Sequence, residues 1–545
     1  MSLITGYTEW LNKAKDNELI AELNGIKDNK DEIADRFYRP LEFGTGGLRG
    51  IIGAGTNRMN IYTVGRATAG LSEYILKSGA IKKVAIAYDS RIKSKEFAFR
   101  AAEILSAKGI DVYIFSELTP TPVLSYAVRK LGAGAGIVIT ASHNPKEYNG
   151  YKVYNEHGCQ ITDKAAKEIL SEIEKADYFT EVNADKEKIH ILGDEILNAF
   201  LEEIKKYRLN DCTKEGDLKV VYTPLHGTGN KPVRKLLTDL GVRVTVVKEQ
   251  EEPDGNFTTC PYPNPEEKAA MSLAIEYAEK ENADLVLATD PDADRIGIAV
   301  KDGKGGYTLL SGNETGVILA DYILSQKTAK NVLGENPTLI KTIVTTDMAF
   351  SVAKEYGAKV KEVLTGFKYI GEELDKTDNF VMGFEESYGY LVGRHARDKD
   401  AVSAAMMIIE TVAYYKKQGK ALLDVLDGLY KKHGYYVNEL VSVKYEGQQG
   451  MEKMKEITDS IRNDPLSKIC GEKVEFTDFS AGVNGLPKSN VLRFRNDNIR
   501  VIVRPSGTEP KLKIYYQVKG VSAQGANEKL INVKEYCSEN LFNKS

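Results

Sequence analysis

The sequence predicts an α/β protein: three related mixed α/β domains and a smaller C-terminal α+β domain, set around a central cleft. Two observations carry that expectation. A unit of strand, helix, strand and a further strand ending in a polar loop occurs three times in the same order, and such alternation builds mostly parallel sheets. Towards the C-terminus the pattern breaks into closely spaced short strands. A chain of 545 residues divides naturally into three or four domains. The repeats place them at 1–210, 211–311, 312–433 and 434–545.

The first copy opens with the strand Val84 to Tyr88, followed by Asp89-Ser90-Arg91. A helix capped by Ser94 carries Phe97, Ala101, Ile104 and Leu105 on one face and stops at Gly109. A strand from Val112 to Phe115 leads to the turn Leu118-Thr119-Pro120-Thr121-Pro122. After another helix, the apolar run Gly136 to Ile139 delivers Thr140-Ala141-Ser142-His143-Asn144-Pro145. In open α/β sheets the carboxyl ends of strands are where ligands bind.

The second copy begins at Lys219 to Tyr222, and its helix after Asn230 turns Val233, Leu236, Leu237 and Leu240 inward. The strand Val242 to Val247 follows, and Leu285 to Ala288 then delivers Thr289-Asp290-Pro291-Asp292-Ala293-Asp294-Arg295. The third copy opens with a strand at Thr342-Ile343-Val344 and a helix capped by Asp347, with Ala349, Val352, Ala353 and Tyr356 inward. Phe380 to Met382 delivers Gly383-Phe384-Glu385-Glu386-Ser387-Tyr388-Gly389. The C-terminal stretch reads as strands at Val491 to Phe494, Ile499 to Val503 and Leu512 to Val518, with a helix around Asn527 to Glu539.

Composition excludes several classes. Hydrophobic residues at 42% and charged residues at 28% are ordinary for a soluble globular protein. A net charge of −4 leaves no basic footprint, so nucleic acid is not an expected partner. The five cysteines are far apart and never form CxxC, which argues against a disulfide framework or a structural zinc site. No apolar stretch is long enough to span a bilayer, and Met1 to Ile20 lacks a signal-peptide apolar region. A soluble cytoplasmic protein with no membrane partner is expected; oligomeric state stays open.

Asp290, Asp292 and Asp294 are spaced by two, so in an extended loop their side chains point one way. Converging carboxylates call for a hard cation, and Mg²⁺ takes an oxygen shell of this kind. An EF-hand loop would need glycine and glutamate where Arg295 and Lys301 stand. A solvated acidic turn is the other reading of this loop alone. Ser142 supplies a hydroxyl on the neighbouring type of loop, and a phosphorylated serine carries about −1.5 to −2 charges. His143, Lys152, Arg49, Arg91 and Arg295 are the cationic or basic side chains expected around it. Together the two loops suggest metal-assisted phosphoryl transfer through a phosphoserine.

Two further loops complete the set. Arg504 can fork onto two phosphate oxygens, and Ser506, Gly507 and Thr508 can add hydroxyl and backbone donors, though an ordinary hairpin turn fits that segment equally well. Glu385 and Ser387, two apart, suit paired hydrogen bonds to neighbouring sugar hydroxyls. Phe43 to Gly50 is glycine-rich and cationic but lacks the ending of a P-loop, and Gly132 to Gly136 precedes its strand and is no dinucleotide fingerprint. His157 and His190 show no metal-ligand spacing.

These four loops, in this order, resemble the phosphoserine, magnesium, sugar and phosphate loops of the α-D-phosphohexomutase family, most closely its phosphoglucomutase branch. The resemblance spans nearly the whole chain. It implies that phosphorylated Ser142 gives its phosphoryl group to a hexose monophosphate beside Mg²⁺ held by Ser142, Asp290, Asp292 and Asp294. It implies glucose 1,6-bisphosphate as intermediate and activator, and glucose 1-phosphate and glucose 6-phosphate as the interconverted sugar phosphates. Mannose and pentose phosphates are the alternative substrates; a metal-dependent sugar phosphatase or a silent sugar-phosphate sensor is less favoured. Glu385 and Ser387 would read the sugar's 3- and 4-hydroxyls. Arg49, Arg295, Lys399, Thr365 and Gly366 resemble further substrate contacts, and His143 and Lys152 match basic positions near the serine.

Overall fold

A computed structural model describes residues 3–44, 46–214, 218–445, 447–506 and 511–542. Internal contacts divide the chain into two units, Met1–Gly312 with Phe367–Gln418, and Asn313–Gly366 with Gly419–Ser545. Among the described residues no helix is long and apolar enough to cross a membrane.

In the first unit the strands Ala135–Ile139, Lys83–Tyr88, Asp111–Phe115 and Ile189–Leu192 run parallel, while Tyr148–Asn155 and Gly47–Ile51 add an antiparallel flank. Ala135–Ile139 is buried along its whole length, as a strand covered on both faces must be. A Cβ on Gly136 would approach Val128 and Tyr154, so the bare backbone lets a helix and a neighbouring strand close in. The parallel directions bring Asp89–Arg91, Leu118–Pro122 and Thr140–Asn144 to one carboxyl edge.

A second sheet of this unit pairs Lys219–Thr223 in parallel with Leu285–Thr289 and Arg243–Val246, then adds Ile296–Lys301 and Tyr307–Leu310 antiparallel. The loop Asp290 to Arg295 is thus a tight connection between two paired strands. A hairpin of Phe380–Phe384 and Tyr390–Val392 and the buried helix Ala401–Lys416 complete the unit.

The second unit holds the parallel pair Thr338–Thr342 and Lys359–Val363 and an antiparallel sheet ordered Tyr435–Lys444, Lys511–Gly520, Ile499–Pro505, Leu492–Arg495, Glu475–Asp478. Helices Gly447–Asn463 and Ala523–Cys537 pack on that sheet. The α/β class with a smaller α+β region at the C-terminus is what the sequence predicts.

Local expectations shift at several points. The third-copy strand lies at Thr338–Thr342 instead of 342–344, because Thr342 turns the chain by bonding its hydroxyl to that of Thr345 at 2.8 Å. Ser94 is the first helical residue, not the cap; its hydroxyl goes to Asp89 at 2.6 Å while Lys93 precedes it at φ 66°. The last helix starts earlier, at Ala523 behind the cap Ser522. Asp347 stands at the N-cap but its carboxylate is drawn elsewhere.

That carboxylate belongs to a buried ionic cluster of the second unit. Lys341, fully buried, reaches Asp347 at 3.1 Å and Glu362 at 2.8 Å; Arg500 pairs with Asp347, and Arg493 and Arg495 reach Glu362 at 3.3 Å. Burial alone would raise Asp347 and Glu362, but the cations hold both below the usual carboxylate range. Their contribution to stability is therefore complete above the ordinary carboxylate pKa of about 4 and is lost as pH falls through the depressed folded-state values. Lys341→Met removes one of the cations around the two carboxylates while Arg495 and Arg500 still meet them, and losing its charged hydrogen bonds should cost about 1.5–3 kcal/mol. Urea titrations from pH 7 to pH 3 should show the wild-type loss on acidification, and a smaller one in Asp347→Asn; equal acid slopes would contradict the assignment.

Candidate active site

Ser142 sits three residues beyond the strand Ala135–Ile139, 4% exposed, in the left-handed region at φ 53°. A non-glycine residue there stores of order 1 kcal/mol or more and persists only where the surroundings impose it. Its backbone N–H donates to Thr140 Oγ1 at 2.8 Å, and its hydroxyl donates to Asp290 Oδ2 at 2.7 Å. His143 Nδ1 lies 3.1 Å from the same hydroxyl oxygen. Burial, with Arg295 and Arg49 close by, holds the imidazole well below its ordinary pKa, so it is neutral.

Asp290, Asp292 and Asp294 are each 0% exposed, and one oxygen from each lies within 4.8 Å of the others. The loop is folded by its own first aspartate. Asp290 Oδ1 accepts from the backbone N–H of Asp294 at 3.1 Å and Arg295 at 3.0 Å, and Ala293 takes φ 51° to make the turn. Thr121 holds it from one side, its N–H bonding Asp292 O and its hydroxyl Asp292 Oδ2, both at 2.9 Å. Thr228 N–H bonds Pro291 O at 2.8 Å from the other side; a Cβ on neighbouring Gly227 would stand 2.5 Å from Pro291 Cα.

Two lysines offset part of the charge. Lys152, on the strand Tyr148–Asn155 opposite Val138, reaches Asp292 Oδ2 at 2.8 Å and Asp294 Oδ2 at 3.4 Å. Lys399 reaches Asp294 Oδ2 at 2.6 Å. Burial would lower both amines, but the aspartates outweigh it and keep them charged; they in turn pull Asp292 far below the carboxylate range. Asp290 is pushed well above that range by burial and by its two acidic neighbours. Asp292 Oδ1 and Asp294 Oδ1 are buried and accept no hydrogen bond. Two orphaned oxygens, an aspartate starved of positive charge and a hard-oxygen donor set fit a divalent cation.

The sugar-loop candidates join the same cluster. Arg295 bridges Gly389, and Ile296 N–H bonds Tyr388 O at 3.1 Å, so the turn Glu385 to Gly389 is docked on the aspartate loop. Tyr388 adopts φ 62°, and Glu385 N–H closes the turn onto Gly389 O at 2.9 Å. Glu385 is buried and Ser387 half-buried. Arg295 Nη1 pairs with Glu266 at 2.6 Å. Arg49 is exposed and donates to Asn144 Oδ1 at 3.4 Å. Lys399 is aimed by Asp400, which caps the helix Ala401–Lys416 and is held by His395 Nε2 at 2.7 Å.

The remaining candidates lie in the second unit. Thr365 and the φ 119° Gly366 follow the strand Lys359–Val363. Arg504 faces Lys513 across the hairpin, whose mouth is closed by Ser506 N–H on Lys511 O at 2.8 Å. Gly507 and Thr508, like Thr45, lie outside the described residues. His395 and Glu266 are absent from the sequence reading, and Thr121 enters it only as part of the turn Leu118 to Pro122, with no site role. The Pro-Thr-Pro setting of Thr121 is the one local signal, since prolines on both sides stiffen the strap that meets Asp292.

Asp292→Asn should weaken Mn²⁺ or Mg²⁺ binding at least 100-fold in isothermal titration, while Thr121→Ala, losing one hydrogen bond of about 1 kcal/mol, should weaken it about fivefold. Unchanged metal affinity in Asp292→Asn would remove the cation from this cluster.

Comparisons with known proteins agree along the chain. Models of phosphoglucomutase/phosphomannomutase α/β/α domains I, II and III match residues 40–179, 198–305 and 311–433, and that of the C-terminal domain matches 440–529. A phosphoglucomutase of Staphylococcus epidermidis is 37% identical over 528 residues, covering 92% of this chain and 96% of its own. One of Staphylococcus haemolyticus is 35% identical over 545 residues, covering 96% and 98%. The open form of the phosphoglucomutase parafusin from Paramecium shares the fold with a TM-score of 0.74 at 18% identity, covering 92% of this chain and 95% of its own. A Burkholderia thailandensis phosphoglucomutase/phosphomannomutase family protein does so at 0.69 and 19%, covering 90% and 96%. With all four domain models matched and full-length relatives above a third identical, the chain belongs to the phosphoglucomutase/phosphomannomutase family of α-D-phosphohexomutases.

Proposed function

We propose that this enzyme interconverts glucose 1-phosphate and glucose 6-phosphate, an isomerisation carried by phosphorylated Ser142 through glucose 1,6-bisphosphate. The observation that carries the reading is the Ser142 hydroxyl, buried and bonded at 2.7 Å to one of three clustered aspartates, in a chain whose full-length relatives are phosphoglucomutases.

Mg²⁺ held by Asp290, Asp292 and Asp294 beside Ser142 would neutralise charge on the phosphoryl oxygens. The chain's own groups supply the rest. The bond from Ser142 Oγ to phosphorus breaks as one forms from phosphorus to the free sugar hydroxyl; that hydroxyl gives up its proton and Ser142 Oγ takes one up. His143, 3.1 Å from Ser142 Oγ, is read as the group that exchanges a proton at that oxygen. Lys152 stays charged and balances the aspartates, a role that suits the cationic site better than that of a base. The bisphosphate then presents its other phosphate, and the reverse transfer regenerates phosphorylated Ser142.

Glu385 and Ser387 are read as contacts to the 3- and 4-hydroxyls, which both orientations of the sugar present. Arg49, Arg295, Lys399, Thr365 and Gly366 are read as further substrate contacts. Arg504, Ser506, Gly507 and Thr508 are read, on their resemblance to the family's loop, as the grip on a phosphate. The substrate class is small sugar phosphates.

Ser142→Ala should lower turnover of glucose 1-phosphate by several orders of magnitude, since no neighbouring side chain offers the same geometry for carrying the group. Wild-type enzyme should carry one extra phosphate on the peptide that contains Ser142. A coupled assay across glucose, mannose and ribose 1-phosphates reads the preference; near-normal activity in the alanine variant would sink the covalent route. Glu385→Gln should reduce kcat/KM for glucose and mannose phosphates alike, because the hydroxyls it meets are common to both. A loss confined to one sugar would show that this loop reads position 2.

A further inference from the structure

Arg91 is a cation that the sequence places near the phosphoserine, yet its guanidinium does not face the aspartates. It lies beneath the Ser142 loop with its side chain 0% exposed. Nη2 donates to Ser142 O and Asn144 O, and Nη1 donates to Pro145 O at 2.9 Å and Tyr148 O at 3.1 Å. Nε faces Asp89 Oδ2 at 3.4 Å, and the plane rests 4.9 Å from the Phe257 ring. Four of the five N–H groups of the fork are therefore spent on main-chain carbonyls of the loop, and the fifth, on Nε, lies near the carboxylate without a hydrogen bond to it. The forked end, both Nη atoms, is occupied by the loop and not offered to a phosphate.

Asp89 is built to hold this fork. It accepts from Arg91 N–H at 3.0 Å and from the Ser94 hydroxyl at 2.6 Å. Asn149 Nδ2 then ties Ser94 Oγ at 3.0 Å and Ile92 O at 2.9 Å to the strand that leaves the loop. The clamp begins at the carbonyl of Ser142 itself, the residue whose φ of 53° needs outside support. We infer that Arg91 is a positioning residue: its planar fork, anchored by Asp89, holds the loop carbonyls so that Ser142 stays in its left-handed conformation with the hydroxyl on the aspartate cluster. Lysine cannot substitute, because an ammonium has three donors and no plane.

The inference rests on the reading of Ser142 as phosphoryl carrier, so the test has an arm independent of chemistry. Arg91→Lys keeps the charge opposite Asp89 and should leave the melting temperature near that of the wild type. Amide exchange in residues 140–150 should nevertheless become at least tenfold faster. In the coupled assay kcat should fall about 100-fold, the scale expected for a misplaced reacting group, with KM little changed. Arg91→Ala should regain activity on adding millimolar guanidinium but not methylammonium, whereas an ordinary loss of structure would be rescued by neither. The double variant Asp89→Asn/Arg91→Met removes both charges and, as a folded protein, should show the same fast exchange. Unchanged exchange at 140–150 in Arg91→Lys would overturn the clamp, as would a raised KM with unchanged kcat, which would make Arg91 a substrate contact. If the wild type turned over no sugar phosphate, the functional reading would fail while the exchange result still judged the clamp.

Discussion

The site depends on one electrostatic constraint: three carboxylates are buried together, and among the described residues Lys152 and Lys399 are the lysines in contact with them. With all three ionised, each pair would repel by about 3–4 kcal/mol even at an effective dielectric constant of 20. Lys152 and Lys399 concentrate on Asp292 and Asp294, and at Asp290 burial and the two acidic neighbours outweigh Arg295. Oxygens of Asp292 and Asp294 face no donor. Much of the surrounding architecture serves to hold this unfavourable arrangement: the loop's own backbone donors, Thr121 on one flank, Thr228 on the other, and the docked turn Glu385 to Gly389. The stored repulsion is what gives the cluster its affinity for a cation.

The loop of Ser142 obeys the same logic in backbone form. A left-handed serine at the end of a buried strand is strained, and its carbonyl side is the one Arg91 grips. The hydroxyl and the aspartates thus approach from two sheets, each through a loop at the carboxyl end of a parallel strand. Each loop stands at the carboxyl edge of its own sheet, and Ser142 meets Asp290 across 148 positions where those two edges face each other within the unit.

Much of this was legible in the chain. Ser142 follows a β-branched run and the three aspartates an apolar one, and both carry their spacing locally, so pattern alone singles them out, and the family resemblance added the order of loops. The parts that escaped are set by distant partners. Thr121 matters because of Asp292, 171 residues away, and its flanking prolines mark a stiff turn without naming that partner. Arg91 was grouped with phosphate-binding cations because charge is visible in sequence and the direction of a guanidinium is not. Ser94 has the composition of a cap, but a hydrogen bond to Asp89 was worth more to it. Thr342 to Val344 reads as a strand by β-propensity, yet the threonine pair at 342 and 345 turns the chain there.

The central claim is that the buried triad and Ser142 form one phosphoryl-transfer site. Its most direct measurement is a single turnover: enzyme stripped of phosphate, with Mg²⁺, mixed with labelled glucose 1,6-bisphosphate and quenched on the millisecond scale. The account predicts one equivalent of label on Ser142, one equivalent of glucose monophosphate and no free inorganic phosphate. Label released as inorganic phosphate, or bound anywhere other than Ser142, would contradict it.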